Sequence, residues 1–471
     1  MFVRAAQFTA VSLLAAALLV ACAGSSGPPH SILVDLTLPA GSTHSRPAGR
    51  EPILPDTEPW DVPLPYADLL AAMRKQLPLH HDFDGVPWCD ENEDAHNTRW
   101  LWQKVGDKIR IDIGGGPQSS GITITRDRDD QSKCVPWPRP KPTQVSTVGG
   151  ATRIELWFEP SRLTFSSGSG KLYVTDLSGP PATEVVSMSA LDKTPARLAD
   201  AVTDDDAIVV NNKLKLGYVS VLGGTGPLRV FNTDTDTLIS TTEPRSCRAQ
   251  VLAVDETSGT VYGGGLSDTG ECLVKFDSAG HVLAEKDVAP KSGTQNRIIQ
   301  RIAADPASGD VIYTDPYGVG LADQALNEKW RAPAPGVSTS GDAFSGPHVH
   351  DMGYEPNSAT VYVCVSPTLG AARARIAVYD GHTGTQTGQF DAPAPTDQFA
   401  SDQQGRLFVA LSRSNDLYVL DHGARSLTKF ATMPNVADGS ARTVEWLTVD
   451  SVGHRLFVSP GNGNSVYQYR Y

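Results

Sequence analysis

Hydrophobic positions fall into three regimes along the chain. From Ala10 to Val20 they form one short run behind Arg4. Between 31 and 147 two periods mix: 65–77 places apolar residues at helical spacing, while 31–38, 99–104, 108–113 and 121–125 read as strands. From 151 onward the helical period is gone. Strand-length segments ending in an aromatic recur there, at Tyr173, Tyr218, Tyr262, Tyr313, Tyr362, Phe408 and Phe457, about 44–51 residues apart. Seven such units over 151–471 predict a closed ring of seven four-stranded blades.

Two further patterns favour closure. The strand before each aromatic carries a large apolar residue at one position (Leu163, Ile208, Leu252, Ile302, Met352, Phe399, Leu447). The next position is small or β-branched (Thr164, Val209, Ala253, Ala303, Gly353, Ala400, Thr448). That alternation suits an innermost strand packed by neighbouring sheets near an axis. The last unit ends after its third strand, Ser465-Val466-Tyr467-Gln468-Tyr469, and 152–158 offers the fourth, which would remove a free edge. The expected fold is mainly β: a seven-bladed β-propeller over 148–471, preceded by a small α+β domain over 31–147.

Composition agrees with a turn-dense β protein, with 43 Gly and 34 Pro spread along the chain. Acidic residues (53) outnumber basic ones (40), which argues against nucleic acid as a partner, since phosphate binding needs a basic face. Trp60, Trp88, Trp100, Trp102 and Trp137 crowd the first module, where core packing is the ordinary use of such rings. The Pro-rich stretch 136–142 reads as a semi-rigid spacer.

The first apolar run is too short for a spanning helix of about 20 residues. Its basic start fits a signal peptide over 1–21. Leu19-Val20-Ala21-Cys22 resembles the lipobox of bacterial lipoproteins. That resemblance implies acylation of Cys22, a small-residue tether over 22–30, and a lipid anchor on the extracytoplasmic side of the cell membrane. The alternative is ordinary secretion after an A-x-A-type site. In an oxidising compartment the remaining cysteines pair most simply within modules, Cys89 with Cys134 and Cys247 with Cys272, leaving Cys364 buried in a strand. None has the CxxC spacing of a zinc site.

Leu252-Ala253-Val254-Asp255…Gly259-Thr260-Val261-Tyr262 and Ile376-Ala377-Val378-Tyr379-Asp380…Thr383-Gly384 resemble bacterial extracytoplasmic propellers of the YncE-like class, which are related in fold to lactonases and quinoprotein-like propellers. The resemblance implies the fold and says little about activity.

Each unit of the ring also has a polar residue two positions before its large apolar one: Ser161, Asp206, Gln250, Gln300, His350, Asp397 and Glu445. Gathered at one mouth of a central channel, they could hold a divalent cation, the one cofactor the residues suggest. The plainer reading is a solvated rim. His348-Val349-His350-Asp351 places two imidazoles on one side of a strand, with Asp351 as a supporting partner, but lacks a third ligand. Asp204-Asp205-Asp206 has no EF-hand spacing. Gly223-Gly224-Thr225-Gly226 and Gly263-Gly264-Gly265 lead into strands, so neither cradles a phosphate at a helix start.

No nucleophile motif or complete Ser/His/Asp set is legible. The expected function is therefore an envelope binding or scaffolding platform for a protein, glycan or small molecule. A lactonase-type or metal-assisted hydrolase using the channel ring is the alternative, and a quinone-linked dehydrogenase a distant third.

Overall fold

The computed structural model describes residues 28–44, 57–93, 97–115, 119–131, 133–134, 141–176, 182–198, 204–222, 228–242, 246–290, 298–337, 346–368, 373–412, 414–421, 423–434, 444–461 and 463–471. The signal segment and Cys22 lie outside the described residues. Two compact units divide the chain, Met1–Trp137 and Pro138–Tyr471. The division precedes the expected 147 because Gln144–Val148 and Ala151–Glu155 pair with each other inside the second unit.

In the first unit, helix α1 (Tyr66–Gln76) accompanies a six-stranded antiparallel sheet. Asp68 in its first turn and Arg74 and Lys75 in its last complement the helix dipole. Its apolar stripe, Tyr66, Leu69, Leu70 and Met73, is buried in a core with Trp100, Trp102, Ile109, Ile111, Ile122 and Ile124. The sheet runs Thr43–His44, Thr57–Val62, Ser120–Asp127, Asp107–Gly115, Asn97–Lys104, Trp88–Glu93. The segment 31–38, expected as a strand, is instead a looped turn. Buried Ser31 donates to Glu58 and accepts the amides of Leu33 and Val34 at 3.1 and 3.3 Å, which curls the chain and leaves Ile32 87% exposed. A side chain competing for local amides defeats the alternation read from the sequence.

Among its described residues, the second unit contains six four-stranded sheets and one five-stranded sheet. Their first strands are Pro160–Ser166, Asp204–Asn211, Arg248–Val254, Arg301–Ala304, His348–Glu355, Thr396–Ser401 and Val444–Asp450. Each packs against the next, and Val444–Asp450 packs back on Pro160–Ser166. In the last sheet Ala151–Glu155 pairs with Ser465–Arg470, Thr152 opposite Gln468 and Glu155 opposite Ser465. That strand stops at Glu155, short of 158. Leu156 exchanges hydrogen bonds with Asn464, donating to its carbonyl at 2.6 Å and accepting from its side-chain amide at 2.8 Å. Trp157 and Phe158 then turn into the core beneath Leu163 and Phe165.

The repeated aromatics are all nearly inaccessible. Several also fasten one sheet to the next. Tyr173 donates to Asp236 at 2.9 Å, Tyr218 to the Ser278 carbonyl at 3.0 Å and Tyr262 to the Gly309 carbonyl at 2.7 Å. Burial raises the pKa of all three phenols, so they remain donors. A second repeat lies at the ends of the first strands or one residue beyond. Asn211, Asp255, Asp305, Glu355, Asp402 and Asp450 each accept a backbone amide of the following turn. These side chains replace the hydrogen bonds that the hairpin backbone cannot make to itself.

Candidate functional site: a cavity on the ring axis

The first strands of all seven sheets contribute to one cavity of about 580 Å³. Most first strands carry a one-residue bulge near their start. Gln250, His350, Asp397 and Glu445 are each the extra residue between two paired neighbours, as the register shows at Ala249/Val251, Val349/Asp351, Thr396/Gln398 and Val444/Trp446. Similar shifts fall within 161–162 and 205–206. In six of the seven units the recurring polar residue therefore lies at a bulge, where a side chain is re-aimed and the strand twists more strongly; the strand after Gln300 pairs in regular register.

This changes which residues face the axis. Of the six predicted mouth residues with described side chains, none lines the cavity; the Asp206 side chain lies outside the described residues. The following position reaches the wall instead, as Arg162, Ala207, Val251, Arg301, Gln398 and Trp446. Counting strict alternation from the apolar row pointed one residue too early, because a bulge inserts a residue into that count.

The predicted residues do not form one cluster. Ser161 is buried, and its carbonyl accepts from Ser459 Oγ at 3.2 Å. Gln250 is half-buried and Glu445 exposed. Gln300 and Asp397 flank Arg301. The Arg301 guanidinium donates to the Gln300 carbonyl at 2.9 Å, to the Asp397 carbonyl at 3.3 Å and, through Nε, to Asp351. Full burial pushes the Asp351 carboxyl up to about 6, against the pull of Arg301. Burial likewise raises Asp397, opposed by the hydrogen bond donated by Ser412 Oγ.

His348 and His350 have ring centroids 6.1 Å apart, and each turns Nδ1 to a backbone carbonyl, Gly346 at 2.9 Å and Thr396 at 2.7 Å. A carbonyl accepts only, so both Nδ1 atoms carry protons. Asp351 supports Arg301 rather than the imidazoles. Among the described residues no three His, Cys, Asp or Glu side chains converge as a metal ion would need. The His348, His350, Asp351 grouping thus gives way to an ion pair, because the bulge at His350 sends its neighbour to Arg301.

Both expected disulfides are present, Cys89–Cys134 and Cys247–Cys272, and Cys364 is free and buried. Arg162 and Arg301 were missed by sequence reading. The signal was available, since they occupy the column between the polar and the large apolar rows.

No family model matches the sequence, and no curated protein matches it. Among solved structures, the crystal structure of Chaetomium thermophilum Raptor matches with a TM-score of 0.51 and 14% identity, over 66% of this chain and 28% of that one. The match thus spans under a third of the Raptor chain. A chain in the crystal structure of the Mitotic Checkpoint Complex matches with a TM-score of 0.49 and 14% identity, over 71% of this chain and 93% of that one. At such identity the likeness to Raptor is one of fold, and it agrees with the array of four-stranded sheets: the chain is mainly β, with sheets arranged as in a propeller.

Proposed function

We propose that this chain is a lipid-anchored envelope protein in which a small α+β domain precedes a YncE-like, seven-bladed β-propeller that binds a ligand without transforming it. The lipobox-like Leu19-Val20-Ala21-Cys22 supports the anchor, and the head-to-tail packing of seven first strands supports the blade count. No helix among the described residues is long and apolar enough to cross a membrane.

The observation that carries the binding reading is the axial cavity of about 580 Å³, a size typical of small-molecule sites. Among the described residues its neighbourhood holds an arginine fixed by an ion pair rather than a serine paired with a histidine. Ser412 gives its hydrogen bond to Asp397, not to an imidazole, so it is not part of a serine–histidine pair.

A thermal-shift screen of envelope metabolites, with each compound assayed afterwards for chemical change, tests this reading. We expect a compound that raises the melting temperature of the wild-type chain, is recovered intact, and does not stabilise Leu252→Trp. Saturating a site at about 100-fold over its Kd is worth about 2.7 kcal/mol, well within detection. Consumption of the compound, lost in His350→Ala or Asp397→Ala, would make the protein an enzyme instead.

A further inference from the structure

The cavity wall has two tiers of different chemistry. One holds Arg162, Arg301, Gln398 and Trp446, interrupted by Ala207 and Val251 on two adjoining strands. The next position along the strands supplies an apolar belt of Leu163, Ile208, Leu252, Ile302, Met352 and Phe399. A ligand filling both tiers needs a polar head and an apolar body.

The polar tier is built from donors. Arg301 uses three of its five N–H groups on Asp351, the Gln300 carbonyl and the Asp397 carbonyl, which locks the guanidinium and leaves two among the described residues. Its side chain is 31% exposed, while the Asp351 behind it is fully buried. Gln398 accepts the Leu447 amide on Oε1, so its NH₂ donors are what it has left to offer. The Arg162 guanidinium lies 4.9 Å from the centre of the Trp446 ring.

The charge on the wall agrees. Arg162, Arg301 and Lys213 line it with one carboxylate, Glu256, which is engaged by the Asn212 side-chain amide at 2.8 Å. Of the other nearby acids, Asp351 backs Arg301 and Asp397 takes the Ser412 hydroxyl. The lining is thus cationic in a chain whose formal charge is −13.

We infer that the axial cavity takes an amphiphilic anion. A carboxylate or sulfonate head would sit on Arg301, Arg162 and the Gln398 amide, with its hydrocarbon or aromatic body against the Leu163–Phe399 belt. A planar guanidinium held in place by a buried carboxylate suits a two-oxygen anion, because little freedom remains to be lost on binding. This inference rests on the reading of the cavity as a binding site and names its ligand class.

The test uses two fluorescent probes sharing an N-phenylnaphthylamine body, 1-anilinonaphthalene-8-sulfonate and neutral N-phenyl-1-naphthylamine. They are titrated into the purified full-length chain carrying Cys22→Ser, so that neither acyl group nor detergent competes. The sulfonate should bind once per chain, at least about 10-fold more tightly than the neutral probe, and be displaced by decanoate but not by decanol. Arg162→Gln should weaken it about 10-fold. So should the paired change Arg301→Gln with Asp351→Asn, which strands no buried carboxylate; unchanged circular dichroism would show both variants folded. Equal affinity for the two probes, or indifference to both arginine changes, overturns the anion while leaving the binding site standing. Failure of both probes, or binding undisturbed by Leu252→Trp, removes the binding site itself.

Discussion

Glu271 and Asp315 both face Arg331 from fully buried positions, so two carboxylates share one guanidinium. Tyr313 and Glu328 complete the surroundings: the Arg331 Cζ lies 6.0 Å from the Tyr313 ring centre, and Tyr313 donates to Glu328 at 2.9 Å. Burial, reinforced by repulsion from Asp315, pushes the Glu271 carboxyl up to about 8, and one of its oxygens has no hydrogen-bond partner among the described residues. A folded-state pKa above the unfolded value means that the native chain holds this proton more tightly. The resulting stability is full below the unfolded value of about 4.3 and is lost as pH climbs through 8. Glu271→Gln mimics the protonated side chain. Its melting temperature relative to wild type should therefore become steadily more favourable from pH 5 to pH 8.5. A difference that stays constant over that range would show that Glu271 is ionised in the folded protein throughout.

Strand period, turn chemistry and the repeated aromatic were legible in the sequence because each is local. Tyr218 needs only its place in the repeat to be read as a core residue, and it is fully buried. Bulges were not legible, because they exist only as a mismatch between paired strands. Nothing around Gln250 or His350 reveals that each is the unpaired residue opposite Gly264 and Gly265, or Cys364 and Val365. One site residue was misplaced for the same reason: the inserted Asp397 moves the wall to Gln398, whereas Gln300 precedes Arg301 in a sheet whose register is regular. Ser31 shows the opposite failure, a strand-like pattern undone by one buried hydroxyl. The Cys247–Cys272 bridge ties the approach to the third sheet's first strand to its third strand, Gly270–Phe276. With a separation of 25 residues, replacing both cysteines by serine should cost about 3 kcal/mol, read as a lower urea midpoint under oxidising conditions. An unchanged midpoint would mean that the sheet is held by packing alone.

At the scale of the whole second unit, the ring depends on two contacts distant in sequence. Val444–Asp450 packs on Pro160–Ser166, and Ala151–Glu155 joins the strand Ser465–Arg470, burying Ile154 and Val466 completely. Without them the first and last sheets would present open edges, and the axial wall would lose the neighbouring Arg162 and Trp446 that face each other across the seam. Closure therefore stands behind both the blade count and the cavity. Residues directly opposite each other in antiparallel strands lie about 4.5–5.5 Å apart, within the span of a disulfide. Thr152 and Gln468 are such a pair and are half-buried. Peptide mapping of the chain carrying Thr152→Cys and Gln468→Cys, after mild oxidation in the native state, measures the seam directly. Closure predicts nearly complete cross-linking between these two positions with the native disulfides intact. Free thiols at both positions in folded protein would contradict a closed ring, and with it the cavity on its axis.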